Sequence, residues 1–249
     1  MTTDELVVDV SQDWVLACDV QRRLMEGLER TPGAVDYGAR CRQMQALGGD
    51  CYDFMPLIDN RLLMVIGDAS GKGLPAALMI ASVQSSLRTA VFFAEDNLSA
   101  LLNAVNSQAC ASSLVDRYAT LFCGAFDGAT RMLRYINAGH NPPMIVRRDH
   151  SVLWLEPTGP PVGMFTDRNY EEDSIQMSPG DLLLAYTDGV IEAVNPAGEE
   201  WGVEGLQRAV LAGEWRRADD VVHEIFRSLV EFSRGRQTDD ATVAVLRID

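Results

Sequence analysis

In LLMVIGDASGKGLPAAL (residues 62–78), a strand pattern changes into a helix pattern across a turn that contains one aspartate, Asp68. The apolar run 62–66 is typical of a strand, and Pro75 suits the first turn of the helix that follows. Glycine residues interrupt the turn on both sides of the aspartate. The carboxylate between them could form the turn, belong to a phosphate-binding loop or bind a metal ion.

Motif spacing argues against three other kinds of active site. A P-loop needs four residues between its first glycine and the Gly-Lys pair, but only three separate Gly67 from Gly71-Lys72, and a glycine follows where Ser or Thr is required. The Cys-x5-Arg spacing of a cysteine phosphatase is missed by one residue between Cys110 and Arg117. No serine lies in the G-x-S-x-G context of a serine hydrolase.

The order of helix and strand patterns indicates one α+β domain with a helical N-terminal appendage. Helices are predicted over residues 12–30, 75–93, 203–212 and 218–234, and from a cap at Asp96 or Asn97 to about residue 114. Strand patterns occupy residues 35–67, 118–187 and 242–248, with a hairpin at Asp127-Gly128. We expect the second and third helices in chain order to form an antiparallel pair. We divide the chain into a connector, residues 1–34, and a domain, residues 35–249.

The apolar residues of the N-terminal helix recur at helical spacing. A stripe of this kind is core by default, although it could also be a face for self-association or regulation. Its members are Val15, Leu16, Val20, Leu24 and Leu28.

Composition narrows the possible partners and compartment. The 249 residues carry a formal charge of −15, which argues against nucleic acid or an anionic membrane as a partner. Five dispersed cysteines without a C-x-x-C pair argue against zinc and suit a reducing cytosol. No apolar run approaches the length of a membrane span, and the acidic N-terminus differs from a signal peptide. We expect a cytoplasmic protein.

Aspartates stand where several apolar strand patterns begin or end. If the last strand runs antiparallel to the others in one sheet, these carboxylates meet at one rim. Each of them alone could be an ordinary turn residue. Several buried carboxylates together are unfavourable without a neutralising cation, and oxygen ligands favour Mg²⁺ or Mn²⁺ over zinc. The aspartates are Asp50, Asp68, Asp188, Asp239 and Asp240.

His140, one of three histidines, lies in a turn between glycine and two prolines, and for it we favour a structural role over a catalytic one.

Six segments together resemble the PPM-type metal-dependent serine/threonine phosphatases, in the bacterial branch that includes the SpoIIE and RsbU phosphatases. The resemblance covers about residues 35–249 and implies two packed antiparallel sheets with helices outside, an α-β-β-α sandwich. The segments are GGDCYDF (48–54), VIGDASGKGLPAAL (65–78), NAGHNPP (137–143), GPPVGMF (159–165), AYTDGVIEA (185–193) and QTDDATVAVLRI (237–248).

The resemblance also implies a role for each matched position. Asp68 would bridge two Mn²⁺ or Mg²⁺ ions. The carbonyl of Ala69 would bind one ion, which Asp50 would serve directly or through water, and Asp188 and Asp239 would hold the other. Further residues of the same segments have supporting roles: Asp240 beside the ligands, Cys51 in packing and Asp53 in structure.

The implied reaction is attack of a metal-bridging hydroxide on phosphorus without a covalent enzyme intermediate. For the general acid, a metal-bound water and His140 both stay open. No arginine matches the phosphate-holding arginine of eukaryotic relatives, and Lys72 is a possible substitute.

The implied substrate is a phosphoserine or phosphothreonine protein, specifically an anti-sigma-factor antagonist of the STAS type. Residues 12–30 would then control activity through an upstream regulator or form a homodimer. The alternative is a non-catalytic signalling or binding module with the same fold. A hydrolase of small phosphoesters is a weaker third hypothesis, because no nucleotide motif is present.

Overall fold

A computed structural model describes residues 10–25, 35–94, 97–112 and 117–249. The helices are α1 (Val10–Met25), α2 (Leu74–Ala90), α3 (Leu98–Ser112), α4 (Asp188–Ile191), α5 (Gly202–Leu211) and α6 (Ala218–Ser233). The strands are β1 (Val35–Arg42), β2 (Asp50–Leu57), β3 (Arg61–Ala69), β4 (Ala119–Asp127), β5 (Met132–Ala138), β6 (Met144–Val146), β7 (Val152–Trp154), β8 (Asp173–Gln176), β9 (Leu182–Tyr186) and β10 (Ala241–Ile248).

The strands form two antiparallel sheets of five strands each. The first sheet has the order β1-β10-β9-β6-β7, and the second has the order β2-β3-β4-β5-β8. Apolar side chains from both sheets, including Phe122 and Leu183, form a core between them. Helices α2 and α3 cover the outer face of the second sheet, and α5 and α6 cover that of the first. The predicted α-β-β-α sandwich is confirmed.

The central strands are buried on both faces, which explains their uninterrupted apolar runs. In β3, Leu63 and Val65 pack beneath α2 and α3, whereas Met64 and Ile66 point into the core between the sheets. Because successive side chains of a strand point to opposite faces, both faces require apolar residues.

Local signals locate several element ends. The Oδ1 atom of Asn97 accepts the Ala100 N–H at 2.8 Å and so caps α3, while residue 96 lies outside the described residues. The hairpin at Asp127-Gly128 joins β4 to β5 as predicted. Helix α2 ends at Ala90, slightly before the predicted end. The short helix α4 was not predicted, because its four residues are too few to display a helical period.

The strands next to the aspartates do not share one sheet, so the single-sheet arrangement considered from the sequence does not occur. Strand β10 pairs antiparallel with β9, but β3 belongs to the other sheet. The carboxylates therefore approach one another from two facing sheets.

The N-terminal helix differs from its default interpretation as a core helix. Val15, Leu16 and Val20 are each 61% exposed, whereas Gln21 and Met25 are buried. The last part of the predicted helix, residues 26–30 with Leu28, lies outside the described residues. No helix in the described part of the chain is long and apolar enough to cross a membrane.

Candidate metal centre

The first two aspartates lie opposite each other on adjacent strands of the second sheet. Asp50 at the start of β2 is the cross-strand partner of Asp68 near the end of β3. Burial and the charge of Asp68 raise the pKa of Asp50 well above its usual range. Burial, then the charges of Asp188 and Asp239, raise the pKa of Asp68 to about 7. Neighbouring carboxylates are thus close enough to Asp68 to oppose its ionisation, although its hydrogen bond with Asp50 acts in the other direction and lowers its pKa.

Two threonines at the edge of the first sheet, one directly after β9 and one in β10, hold Asp50 of the second sheet. The hydroxyls of Thr187 and Thr242 donate to Asp50 Oδ2 at 2.8 and 2.6 Å. The Thr242 N–H in turn donates to the Thr187 hydroxyl at 2.9 Å. Sequence reasoning did not identify these threonines. Their positions in the sequence could have indicated them. Thr187 directly precedes Asp188, and Thr242 lies two residues after Asp240, both within the matched segments.

Close backbone approach brings Asp188 and Asp239 together. A Cβ atom on Gly189 would lie 2.0 Å from the carbonyl oxygen of Asp240 and 3.1 Å from the Cβ atom of Asp239. Only glycine therefore allows the start of α4 to contact the segment before β10. Burial and the charge of Asp239 raise the pKa of Asp188.

Asp240 is held by the loop before β2. Its Oδ1 atom accepts the Met44 N–H at 2.7 Å, and its Oδ2 atom accepts the Gly49 N–H at 2.8 Å. The Ala69 N–H donates to the Gly49 carbonyl at 3.0 Å, so this loop also contacts the end of β3. Asp240 thus supports the site with both oxygens engaged.

Lys72 contacts a predicted metal ligand. Its ammonium group donates to Asp239 Oδ2 at 2.5 Å and to the Thr238 carbonyl at 3.1 Å. This hydrogen bond, together with the charges of Asp239 and Asp188, raises the pKa of Lys72. Lys72 therefore partly neutralises the carboxylates. An ammonium group has three N–H donors, so the predicted alternative, that Lys72 holds substrate phosphate, is compatible with its contact to Asp239.

The donor chemistry of the cluster fits Mg²⁺ or Mn²⁺. The converging side chains are carboxylates, which are ligands of hard divalent ions, and the raised pKa values of Asp68 and Asp188 indicate incompletely neutralised charge. Among the described residues, no three histidine, cysteine or carboxylate side chains are arranged so that they could hold an ion as they stand. In this arrangement, Asp239 contacts Lys72 and Asp50 contacts two hydroxyls.

Comparison with known proteins identifies the family. The model of the family described as "Stage II sporulation protein E (SpoIIE)" matches residues 58–249, which is more than half of the chain. The chain belongs to the SpoIIE family. Strands β1 and β2 precede the matched region, yet β1 is part of the first sheet and β2 is part of the second.

Two curated relatives of this SpoIIE-family chain cover most of its length. Protein IcfG of Synechocystis is 32% identical over 231 residues, which cover 82% of this chain and 36% of IcfG. Phosphoserine phosphatase RsbU of Bacillus subtilis is 26% identical over 243 residues, which cover 96% of this chain and 71% of RsbU. The chain thus spans only a part of IcfG and most of RsbU.

Solved structures agree with the SpoIIE-family fold. The SiaA-PP2C domain of Pseudomonas aeruginosa has a TM-score of 0.83 at 19% identity, covering 97% of this chain and 98% of that domain. A structure of RsbU and RsbW domains from Mycobacterium tuberculosis has a TM-score of 0.70 at 27% identity, covering 87% of this chain and 61% of that one. The relatives of this SpoIIE-family chain include a named phosphoserine phosphatase, and the chain shares the fold of these solved structures.

His140 is buried within this SpoIIE-family domain. Its side chain is 2% exposed, and its Nδ1 atom lies 3.0 Å from the hydroxyl oxygen of Thr120, the residue paired with Asp68 across β3 and β4. The His140 N–H donates to Asn137 Oδ1 at 2.8 Å. Burial lowers the pKa of His140 to about 4, so the imidazole is neutral near pH 7. These contacts favour the structural role.

We expect His140 to make the fold more sensitive to acid. An unfolded histidine takes up a proton as the pH falls through about 6.5, whereas the folded one does so only near 4. Its stabilising contribution is therefore complete above about pH 6.5 and is lost as the pH falls towards 4, by about 3 kcal/mol in all.

Urea unfolding of the native chain and of His140→Gln, at about pH 7.5 and about pH 5, measures this contribution. The native chain should lose more stability between the two pH values than the variant does. Equal losses would contradict the prediction, because every other titrating group is shared.

Proposed function

We propose that this chain is a metal-dependent phosphatase that hydrolyses phosphoserine or phosphothreonine on a partner protein with Mn²⁺ or Mg²⁺. The observation that carries the proposal is the convergence of Asp50 and Asp68 from one sheet with Asp188 and Asp239 from the other. Burial and neighbouring carboxylate charges raise the pKa values of Asp50, Asp68 and Asp188, as expected for a carboxylate cluster built for cations.

The proposed ligands divide between two ions. Asp68 would contact both, Asp50 and the Ala69 carbonyl would serve one, and Asp188 and Asp239 would serve the other. When bound, the ions supply Lewis acidity, which activates water and stabilises charge on the phosphoryl oxygens.

The protein's own residues position and release these ligands. Thr187 and Thr242 orient Asp50, and the N–H groups of Met44 and Gly49 orient Asp240. Lys72 contacts Asp239, so its ammonium group competes with a metal ion for this carboxylate. The neutral, buried His140 is poorly suited to donate a proton to the serine leaving oxygen at neutral pH.

The ion pair between Lys72 and Asp239 predicts an effect on metal affinity. In Lys72→Gln, no ammonium group competes with the metal ion for Asp239, and the variant removes a positive charge that repels the cation. We expect Mn²⁺ to bind about five- to tenfold more tightly, by titration calorimetry. Unchanged or weaker Mn²⁺ binding would contradict this competition. Arg23→Gln on α1 provides a charge-matched control, because Arg23 is exposed on a helix that contacts α2 and β2.

The proposed substrate is a phosphorylated STAS-type protein, as for an anti-sigma-factor antagonist. Support comes from the relatives RsbU and RsbP of Bacillus subtilis, both named phosphoserine phosphatases. The net charge of −15 disfavours nucleic acid and anionic membranes as partners. We place the protein in the cytoplasm, which suits its five free cysteines.

We further propose that residues 1–34 form a connector and that α1 receives an upstream regulator or a second copy of the chain. The exposed residues Val15, Leu16 and Val20 would be the contact surface. The same helix touches the domain: Gln21 donates to the Gly48 carbonyl at 2.7 Å, and Arg88 donates to the Leu24 carbonyl at 2.6 Å. Serine at the three apolar positions should change oligomeric state or turnover, and no change in either would oppose this role.

Removal and return of metal tests the main proposal. The purified chain is treated with a chelator, and phosphate release from a phosphoserine protein and from a small aryl phosphate is followed as Mn²⁺ is restored. Turnover of the phosphoprotein that returns with Mn²⁺ and is lost in Asp188→Asn supports the proposal. Partner binding without turnover would favour the non-catalytic module, and turnover confined to the aryl phosphate would favour a small-molecule hydrolase.

A further inference from the structure

A pocket lies at the end of the first sheet that is opposite to the carboxylate cluster. Its volume is about 590 Å³, and it is lined by the end of β6, the start of β9 and the end of β10. Asp188 follows the other end of β9, and Asp239 precedes the other end of β10. At about 3.3 Å per strand residue, roughly 20 Å separates this pocket from the carboxylate cluster.

The charge of this pocket is opposite to that of the chain as a whole. Four arginines line it against two carboxylates, Glu214 and Asp249, and a third carboxylate outside the lining, Asp181, pairs with Arg147. This excess is notable in a chain of net charge −15, whose other charged site consists mostly of aspartates. The arginines are Arg147, Arg148, Arg216 and Arg247.

Two of these guanidinium groups are held in place by the fold. Arg147 forms an ion pair with Asp181, which is 1% exposed, and donates to the Gln176 carbonyl at 3.0 Å. Arg247 donates from Nε to the Trp215 carbonyl at 3.1 Å and also pairs with Asp249. Such fixed donors lose little conformational entropy when an oxyanion binds.

The other two arginines are available for a ligand. Arg148 and Arg216 are exposed, and neither forms a hydrogen bond or an ion pair with any residue that the structure describes. The backbone of Gly180 lies beside the Arg148 side chain, because a Cβ atom on Gly180 would be 3.6 Å from Arg148 Cδ. Guanidinium groups bind phosphate and carboxylate through paired N–H donors.

The remaining walls are apolar, so the pocket is not simply a patch of surface charge. Leu182 and Val210 are buried beneath it, and the ring of Trp215 forms part of its lining. The Trp215 Nε1–H donates to the Val210 carbonyl at 2.6 Å, which fixes the ring. Pockets of a few hundred cubic ångströms with apolar walls and a few convergent polar groups typically bind small organic ligands.

From this geometry we infer that the pocket binds a small organic oxyanion, a phosphate or carboxylate attached to an apolar group. The arginines bind the oxyanion, and the wall containing Trp215 and Leu182 contacts the apolar group. The site is separate from the carboxylate cluster and is unrelated to the proposed hydrolysis.

Titration calorimetry of the whole chain, first without and then with Mg²⁺, tests the inference, with phenylphosphonate as a probe that a phosphatase does not hydrolyse. The affinity measured without Mg²⁺ is the one assigned to this pocket, because a phosphonate can also bind to metal ions at the carboxylate cluster. Arg148→Gln and Arg216→Gln should each weaken its binding about tenfold, the loss expected for one charge-assisted hydrogen-bonding group. Glu214→Gln removes an opposing charge and should strengthen binding about threefold. Methylphosphonate, without the ring, should bind more weakly than phenylphosphonate.

Two control variants separate this pocket from other sites. Arg23→Gln removes the same charge from α1 and should leave the affinity unchanged. Asp239→Asn alters the carboxylate cluster and should also leave it unchanged. Binding that is lost in Asp239→Asn, binding that is insensitive to both pocket arginines, or no binding up to about 10 mM would overturn the inference. Thermal unfolding of the exposed arginine variants verifies that they remain folded.

Discussion

Asp68→Asn should lower Mn²⁺-dependent hydrolysis of a phosphoserine protein by at least about a thousandfold. In the proposed site, Asp68 would be the only side chain to contact both ions, and an amide supplies neither the charge nor two equivalent oxygens. The fold should persist, because Asn removes one of the charges that repel Asp188 and Asp239. The kcat/KM value, Mn²⁺ affinity and urea unfolding of the same preparation separate lost chemistry from lost structure.

Asp59→Asn is the matched control for this experiment. Asp59 lies in the exposed turn between β2 and β3, at the end of the hairpin away from Asp68, and asparagine tolerates its φ of 60°. The control should keep native turnover. If Asp68→Asn retained more than about a tenth of native activity with native Mn²⁺ affinity, the proposed bridging role would be wrong.

Gly189→Ala should also abolish most activity, for a steric reason. The added Cβ atom would lie 2.0 Å from the Asp240 carbonyl oxygen, so the start of α4 and the segment before β10 must separate. This displacement moves Asp188 away from Asp239. We expect at least about a hundredfold loss of kcat/KM and a loss of about 2–3 kcal/mol in the free energy of unfolding.

Gly198→Ala tests whether these losses come from the close approach. A Cβ atom on Gly198 would have no other atom within 4 Å, but the φ of 83° at this position strains any other residue. Its replacement should cost about 1 kcal/mol of stability and leave turnover unchanged. Native activity in Gly189→Ala would show that the approach of Asp188 to Asp239 does not matter for function.

Short-range signals account for the features of the fold that were predicted well. Pro75 at the start of α2, Asn97 at the cap of α3 and Asp127-Gly128 between β4 and β5 each act within a few residues. The continuous apolar runs of β3 and β9 reflect burial on two faces. Such patterns predict element type because they depend on the local backbone alone.

Pairing between distant residues was not predictable from those patterns. Nothing local to β3 shows that it avoids the sheet containing β9 and β10. The bonds from Thr187 and Thr242 to Asp50 join residues more than a hundred positions apart. The exposure of Val15, Leu16 and Val20 likewise depends on which face of α1 meets the domain.

The amino-acid sequence by itself determined the order of elements, the α+β class and the set of aspartates that the proposed chemistry requires, because these follow from periodicity and residue type. Only the tertiary structure decided that two facing sheets supply those aspartates, that Lys72 binds Asp239 and that arginines collect at the far end of the first sheet. Side chains distant in sequence become neighbours only when the sheets pack, and burial then sets their interactions.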